Sequence, residues 1–113
     1  MSRQIAERRG RRAEQVAALF LILKGWRIVA RRRRLPMIEV DIVARRAGVV
    51  AVVEVKQRPT LESAMRALAP EAAARLRAAA RQIAAEQGPG LVARVDLIAL
   101  APGRWPRHIA GVE

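Results

Sequence analysis

The chain contains no cysteine, so disulfide bridges, zinc–thiolate centres and thiol nucleophiles are excluded from the outset. That absence fits a reducing cytoplasm. Aromatic residues make up only 3% of the chain, which argues against base stacking as the main mode of binding any nucleic acid. Trp26 and Trp105 are expected to be packing residues, and the lone histidine, His108, a surface or tail residue rather than a metal ligand. Long apolar runs are missing too: residues 16–23 form an uninterrupted apolar stretch well short of the roughly 20 residues that a membrane span requires. The basic segment before it, "ERRGRRAEQ", resembles a targeting leader only superficially, because Glu7 and Glu14 lie within it and no A-x-A cleavage site follows. The same residues read as an amphipathic helix, and the chain is expected to be cytoplasmic with no membrane partner.

Acidic residues are also in short supply. Ten Asp and Glu stand against 22 Lys and Arg, a net charge of +12, which points to a polyanionic partner and to nucleic acid before membrane. Phosphate contacts are then the expected source of affinity. Of the 22 basic residues 20 are arginine, and only Lys24 and Lys56 are lysine. With 113 residues, 52% of them hydrophobic, the chain is long enough for one domain with a real core and no structural metal.

Periodicity and punctuation give the organisation. A helix is expected over residues 3–24, stopped by Gly25, with Val16, Leu19, Phe20 and Leu23 as its apolar side. Residues 26–30 read as a short strand, and "RRRRLP" as a basic loop ended by Pro36. Residues 37–44 and 49–57 read as strands joined by a turn at residues 45–48, most economically a hairpin. Thr60 can cap a helix over residues 61–69. Pro70 and Glu71 open another that runs to Gln87, with Leu76, Ala80, Ile83 and Ala84 as its buried face. Residues 91–100 form a further strand, and "HIAGV" a short edge strand in the tail. The order α, β, β, β, α, β describes an α/β sandwich, a central mixed sheet flanked by helices.

Within this frame "EVDIVARRAGVVAVVEVKQR", residues 39–58, places three carboxylates and a lysine in apolar strands. Side chains alternate along a strand, so Glu39 and Asp41 share one face, as do Glu54 and Lys56. A turn that sets Ala44 opposite Val49 puts Glu39 opposite Glu54 and Asp41 diagonal to it, with Val43 and Val52 on the same side. A slip of one residue would scatter the charges to opposite faces. Clustered carboxylates repel unless a cation sits among them, and Mg²⁺ suits one or two carboxylates together with a substrate phosphate. A lysine beside them could stabilise charge on a phosphate or help deprotonate a water. Metal-assisted phosphodiester hydrolysis suits this residue set, but a solvated sheet face with cross-strand ion pairs accounts for the same spacing.

Asp41 followed by Glu54-Val55-Lys56 on the next strand resembles the motif of the PD-(D/E)xK nuclease superfamily, whose restriction-endonuclease-like core has the αβββαβ order. More closely, "GRRAEQVAALFLILKGWRIVARRRR", "EVDIVA", "VAVVEVKQR" and "RVDLIAL" together resemble the YraN family, small bacterial proteins related to archaeal Holliday-junction resolvases. The likeness runs from Gly10 to about Leu100. It implies Asp41 and Glu54 as metal carboxylates for Mg²⁺ or Mn²⁺, the Val55 carbonyl as a further ligand, Lys56 as the catalytic lysine and Glu14 as a helix glutamate approaching the metal. Glu14 alone would read as an ordinary exposed glutamate of an arginine-rich helix. Glu39 matches the glutamate of the family's G-E-x-D segment, either assisting the metal or flanking it. Gln57 and Arg58 follow the lysine toward the substrate backbone. The resolvase relatives act as dimers, which makes a homodimer an expectation here.

The chain also departs from the family pattern. Ile38 stands where the family has glycine before the glutamate, the asparagine usual after the first strand is replaced within "RRRRLPM", and a basic residue usual early in the long helix falls at Ala72 or Ala73. Substrate contacts there are then expected to be weaker or moved to Arg75 and Arg77. Arg8, Arg9, Arg11 and Arg12, with Arg31, Arg32, Arg33 and Arg34, form the expected phosphate-tracking patch, and DNA, duplex or branched, is the expected partner. The expected activity is a structure-selective endonuclease; the alternative is a non-catalytic nucleic-acid-binding protein with a vestigial site. Asp96 has no assignable role from sequence.

Overall fold

The computed structural model describes residues 3–112, with side chains from residue 10 onward. Helix α1 (Arg3–Leu23) leads into β1 (Arg27–Arg34), β2 (Glu39–Arg46) and β3 (Val49–Gln57); α2 (Leu61–Met65) and α3 (Pro70–Gln87) follow, then β4 (Val92–Leu100) and β5 (Arg107–Ile109). The five strands lie in chain order in one mixed sheet. Neighbours are antiparallel except β3 and β4, which run parallel because α2 and α3 form the crossover between them. This is the expected αβββαβ order, extended by the edge strand β5.

Each face of the sheet carries a helix and a core. On one face Ala13, Ala17, Ala18 and Leu21 of α1 pack with Trp26 against Ile42, Ala44, Ala51, Val53, Ile98 and Leu100. On the other, Leu76, Ala79, Ala80, Ile83 and Ala84 of α3 cover Val40, Val43, Val50, Val52 and Val95. The expected face of α3 is therefore the buried one, but that of α1 is not. Val16, Leu19 and Leu23 are exposed, and only Phe20 of the expected set packs partly against the core. The helix is apolar over more of its circumference than the sheet can cover, and the small alanines of the other side allow a closer approach than large side chains would. Gly25, at φ 91°, then turns the chain so that the Trp26 N–H reaches the Leu21 carbonyl at 3.0 Å.

Three further expectations are corrected. The arginine run is not a loop: β1 continues through Arg34, because pairing with β2 satisfies its backbone while an edge position leaves its long side chains in solvent. The helix expected over residues 61–69 stops at Met65, although Thr60 caps it as anticipated, its Oγ1 accepting from the Ser63 N–H at 3.1 Å. Trp105 is 87% exposed and packs no core, whereas Trp26 does.

The hairpin register also differs. Arg46 pairs with Val49 and Ala44 with Ala51, so the turn is the two residues Ala47 and Gly48 rather than residues 45–48. A shift of two residues preserves the side-chain faces, as a shift of one would not. Two-residue hairpin turns of the primed types need a positive φ at the first turn position, normally supplied by Gly, Asn or Asp, and here Ala47 takes φ 51°. Ala47→Gly is therefore expected to stabilise the protein by about 1 kcal/mol, seen as a higher urea midpoint at unchanged slope; no gain would mean that the turn carries no strain.

Candidate metal and nucleic-acid site

The site is formed where β2 leaves β3. Their ladder ends at Ile42↔Val53, while β2 stays paired with β1 through Glu39 and β3 with β4 through Gln57. Val40 and Val43 both lie in the core under α3 although three residues apart, so the alternation of β2 breaks at Asp41. In the fork thus opened, Asp41 Oδ2 accepts the Val55 N–H at 2.8 Å, a donor that no backbone carbonyl of β2 takes. Asp41 is thereby fixed by the strand that carries Glu54 and Lys56.

Asp41 and Glu54 are near enough in the fork for the Asp41 carboxylate to act on the ionisation of Glu54. Burial, then the neighbouring Asp41 carboxylate, push the pKa of Glu54 up to about 8, only partly opposed by Lys56. Lys56 Nζ stands 3.5 Å from Glu54 Oε1, and both side chains are largely buried. A pair of oxygen donors that repel one another this strongly is a fit for a small divalent cation, and Asp41, Glu54 and the carbonyl of Val55 are the groups that would hold it.

Not every expected ligand joins them. Glu39 faces Arg34 at 3.4 Å instead of lying opposite Glu54, since the true register pairs it with β1. Glu14 is no free surface glutamate: its side chain is 14% exposed and accepts from Arg32 Nε at 2.7 Å. Accordingly, among the described residues no three His, Asp or Glu side chains lie close enough together to hold a metal.

The basic residues are divided in the same way. Arg32, Arg33 and Arg34 pair with Glu14, Glu86 and Glu39, which leaves Arg31 as the member of the run with no acidic partner among the described residues. Arg11, Gln15, Arg31 and Arg32 line one shallow cleft beside the fork, and Arg12 is exposed nearby on α1. The side chains of Arg8 and Arg9 lie outside the described residues. Beyond the end of β3, Gln57 and Arg58 are exposed, the Arg58 guanidinium donating to the Gln57 carbonyl at 2.7 Å. A second cleft there is lined by Arg58, Thr60, Glu62, Ser63, Arg66 and Ala67, and nothing in the sequence pattern singled out Arg66. Arg77 lies half-buried along α3, away from either cleft.

Asp96, without a role at the level of sequence, is a buried hub. It accepts from Arg94 Nε and Nη2 at 2.8 and 2.9 Å, pairs with His108 Nε2 at 2.8 Å and accepts the Gly111 N–H at 3.1 Å. His108, expected at the surface, has a side chain only 5% exposed and packs edge-on against Trp26. This cluster fastens β5 and the tail to the sheet and takes no part in the fork. No helix among the described residues is long and apolar enough to cross a membrane.

The chain matches the uncharacterised protein family UPF0102 over residues 13–100. It is 51% identical over 111 residues to a UPF0102 protein of Caulobacter vibrioides (strain NA1000 / CB15N), covering 96% of this chain and 89% of that one. A UPF0102 protein of Caulobacter sp. (strain K31) is 54% identical over 103 residues, 88% of this chain and 73% of the relative. One of Chelativorans sp. (strain BNC1) is 46% identical over 114 residues, 99% of this chain and 92% of the relative. The fork motif thus lies within the matched span, and the chain belongs to the UPF0102 family, the YraN family that its motifs resemble.

Proposed function

We propose that the protein is a metal-dependent endonuclease acting on structured or branched DNA. The observation that carries this reading is the meeting of Asp41 and Glu54 in the strand fork, with Lys56 Nζ 3.5 Å from Glu54. Bound there, Mg²⁺ or Mn²⁺ would neutralise the two carboxylates and polarise a phosphodiester oxygen. Asp41 is held ready by the Val55 N–H, and Glu54 must lose its proton to offer both oxygens. Lys56 contributes a compact positive charge that can stabilise the phosphate or orient the attacking water. Arg11, Arg12 and Arg31 on one side of the fork, with Arg58 and Arg66 on the other, place a duplex backbone without reading its sequence.

Nucleic-acid binding without turnover is a second reading, favoured by the pairing of Glu14 with Arg32, which leaves two rather than three carboxylates together. The two separate on flap, splayed and four-way DNA with and without Mg²⁺ or Mn²⁺. Metal-dependent cleavage that disappears in Asp41→Ala and Lys56→Ala while DNA binding survives is the expected result. Binding with no cleavage in either metal would establish the second reading instead.

A further inference from the structure

The carboxylates around the fork already have a cation, and it belongs to the chain. Arg31 pairs with Ile42 and Arg33 with Val40, so Arg32 stands opposite Asp41. Its Nε donates to Glu14 at 2.7 Å, and its positive charge is stabilised first by Glu14 and also by Glu39 and Asp41. The guanidinium therefore binds the Glu14 carboxylate directly and stands across the ladder from Asp41.

The backbone at Arg32 indicates that this placement is held rather than idle. Its φ of 53° is unfavourable for a residue with a long side chain, and such a conformation persists where surrounding interactions enforce it. Here Arg32 stands opposite the break in β2, and its side chain is tied to Glu14, whose carboxylate is itself mostly buried. Arg32 is also 38% exposed and lines the cleft with Arg11, Gln15 and Arg31, so the same guanidinium is within reach of a phosphate arriving from solvent.

We propose that Arg32 is a positioning residue which competes with the divalent cation for Glu14, keeping the third carboxylate out of the Asp41–Glu54 site until the guanidinium is drawn away. This rests on the metal-site reading given above and concerns its regulation. A phosphate that takes the guanidinium releases Glu14, so the charge at position 32 sets metal affinity in the absence of nucleic acid.

The test is Mn²⁺ binding to the full chain without nucleic acid, followed by the loss of the free-ion signal in electron paramagnetic resonance. Four proteins are compared: wild type, Arg32→Asn, Arg32→Lys and the double variant Arg32→Asn with Glu14→Gln. Asparagine tolerates the left-handed backbone, which protects the fold, and a thermal melt of each variant checks it. Arg32→Asn is expected to bind Mn²⁺ at least about tenfold more tightly than wild type, since both a like charge and a competing partner of Glu14 are gone. Arg32→Lys retains the charge and stays close to wild type, and the double variant loses the gain. Equal affinity in wild type and Arg32→Asn, or a gain that survives Glu14→Gln, overturns the proposal while leaving a metal site in place. Failure of every variant to bind Mn²⁺ overturns both the proposal and the metal-site reading.

Discussion

Asp96→Ala is expected to lower the stability of the fold by about 3–5 kcal/mol, read as a fall in urea midpoint at unchanged slope. The carboxylate is fully buried, and burial by itself would raise its pKa. The hydrogen bonds from His108, Arg94 and the Gly111 N–H outweigh that penalty and hold it at about 2. Truncation removes the acceptor for all of them at once. It leaves the Arg94 guanidinium, 5.4 Å from the Trp26 ring centre, without its counter-charge and the buried His108 Nε2 without its partner, and loosens the strand β5 and the tail segment. Arg94 stays 29% exposed and keeps some contact with water, so the size of the effect comes from the charge-assisted hydrogen bonds lost and from the buried His108 Nε2 and the Gly111 N–H left without an acceptor. Because the folded pKa is depressed, this stabilisation is present above the unfolded value of 3.8 and is lost as pH falls toward about 2. A loss below about 1 kcal/mol would mean that water reaches these groups readily.

Glu54 supplies the second large effect, with the opposite sign. Its carboxyl is raised from 4.5 to about 8, so between those values the folded protein holds a proton that the unfolded chain has released. Metal-free protein should therefore lose stability as pH rises through this window, by at most about 1.4 kcal/mol per pH unit. Glu54→Gln keeps the shape, carries no charge and should flatten the profile. Adding Mg²⁺ or Mn²⁺ above pH 8 should restore stability to the wild type but not to the glutamine variant. A urea midpoint that is flat or rising between pH 5 and 8 in metal-free wild type would show that the fork tolerates two ionised carboxylates without a cation. The two residues thus make opposed demands: acid weakens the hub at Asp96, whereas base weakens the fork at Glu54.

The fork and the hub differ in how far they could be read in advance. Glu54 and Lys56 are legible because alternation along β3 puts them on one face, and an even shift of register leaves that face unchanged, whereas the alternation of β2 breaks at Asp41 and only the fork brings it to them. The observed register lies two residues from the expected one and keeps Glu54 on its face. Glu39 does not keep its expected partner, since its distance along the strand, rather than its face, decides whether it meets Glu54 or Arg34. Asp96 and His108 stand twelve residues apart and meet through the pairing of β4 with β5. No local pattern announces such a contact.

The sequence by itself determined the order of helices and strands, the buried face of α3, the family, and the placement of Asp41, Glu54 and Lys56 on two adjacent strands. Each depends on periodicity or on short motifs, which are local properties of the chain. Only the tertiary structure decided which side of α1 is buried, where the strands part, and which acid each arginine answers. Arg33 meets Glu86 across 53 residues and Arg32 meets Glu14 across 18. Ion pairing depends on distances through space that composition does not encode, so "RRRR" reads as a uniform phosphate patch but folds into three paired guanidiniums, one of them positioned beside the candidate metal site.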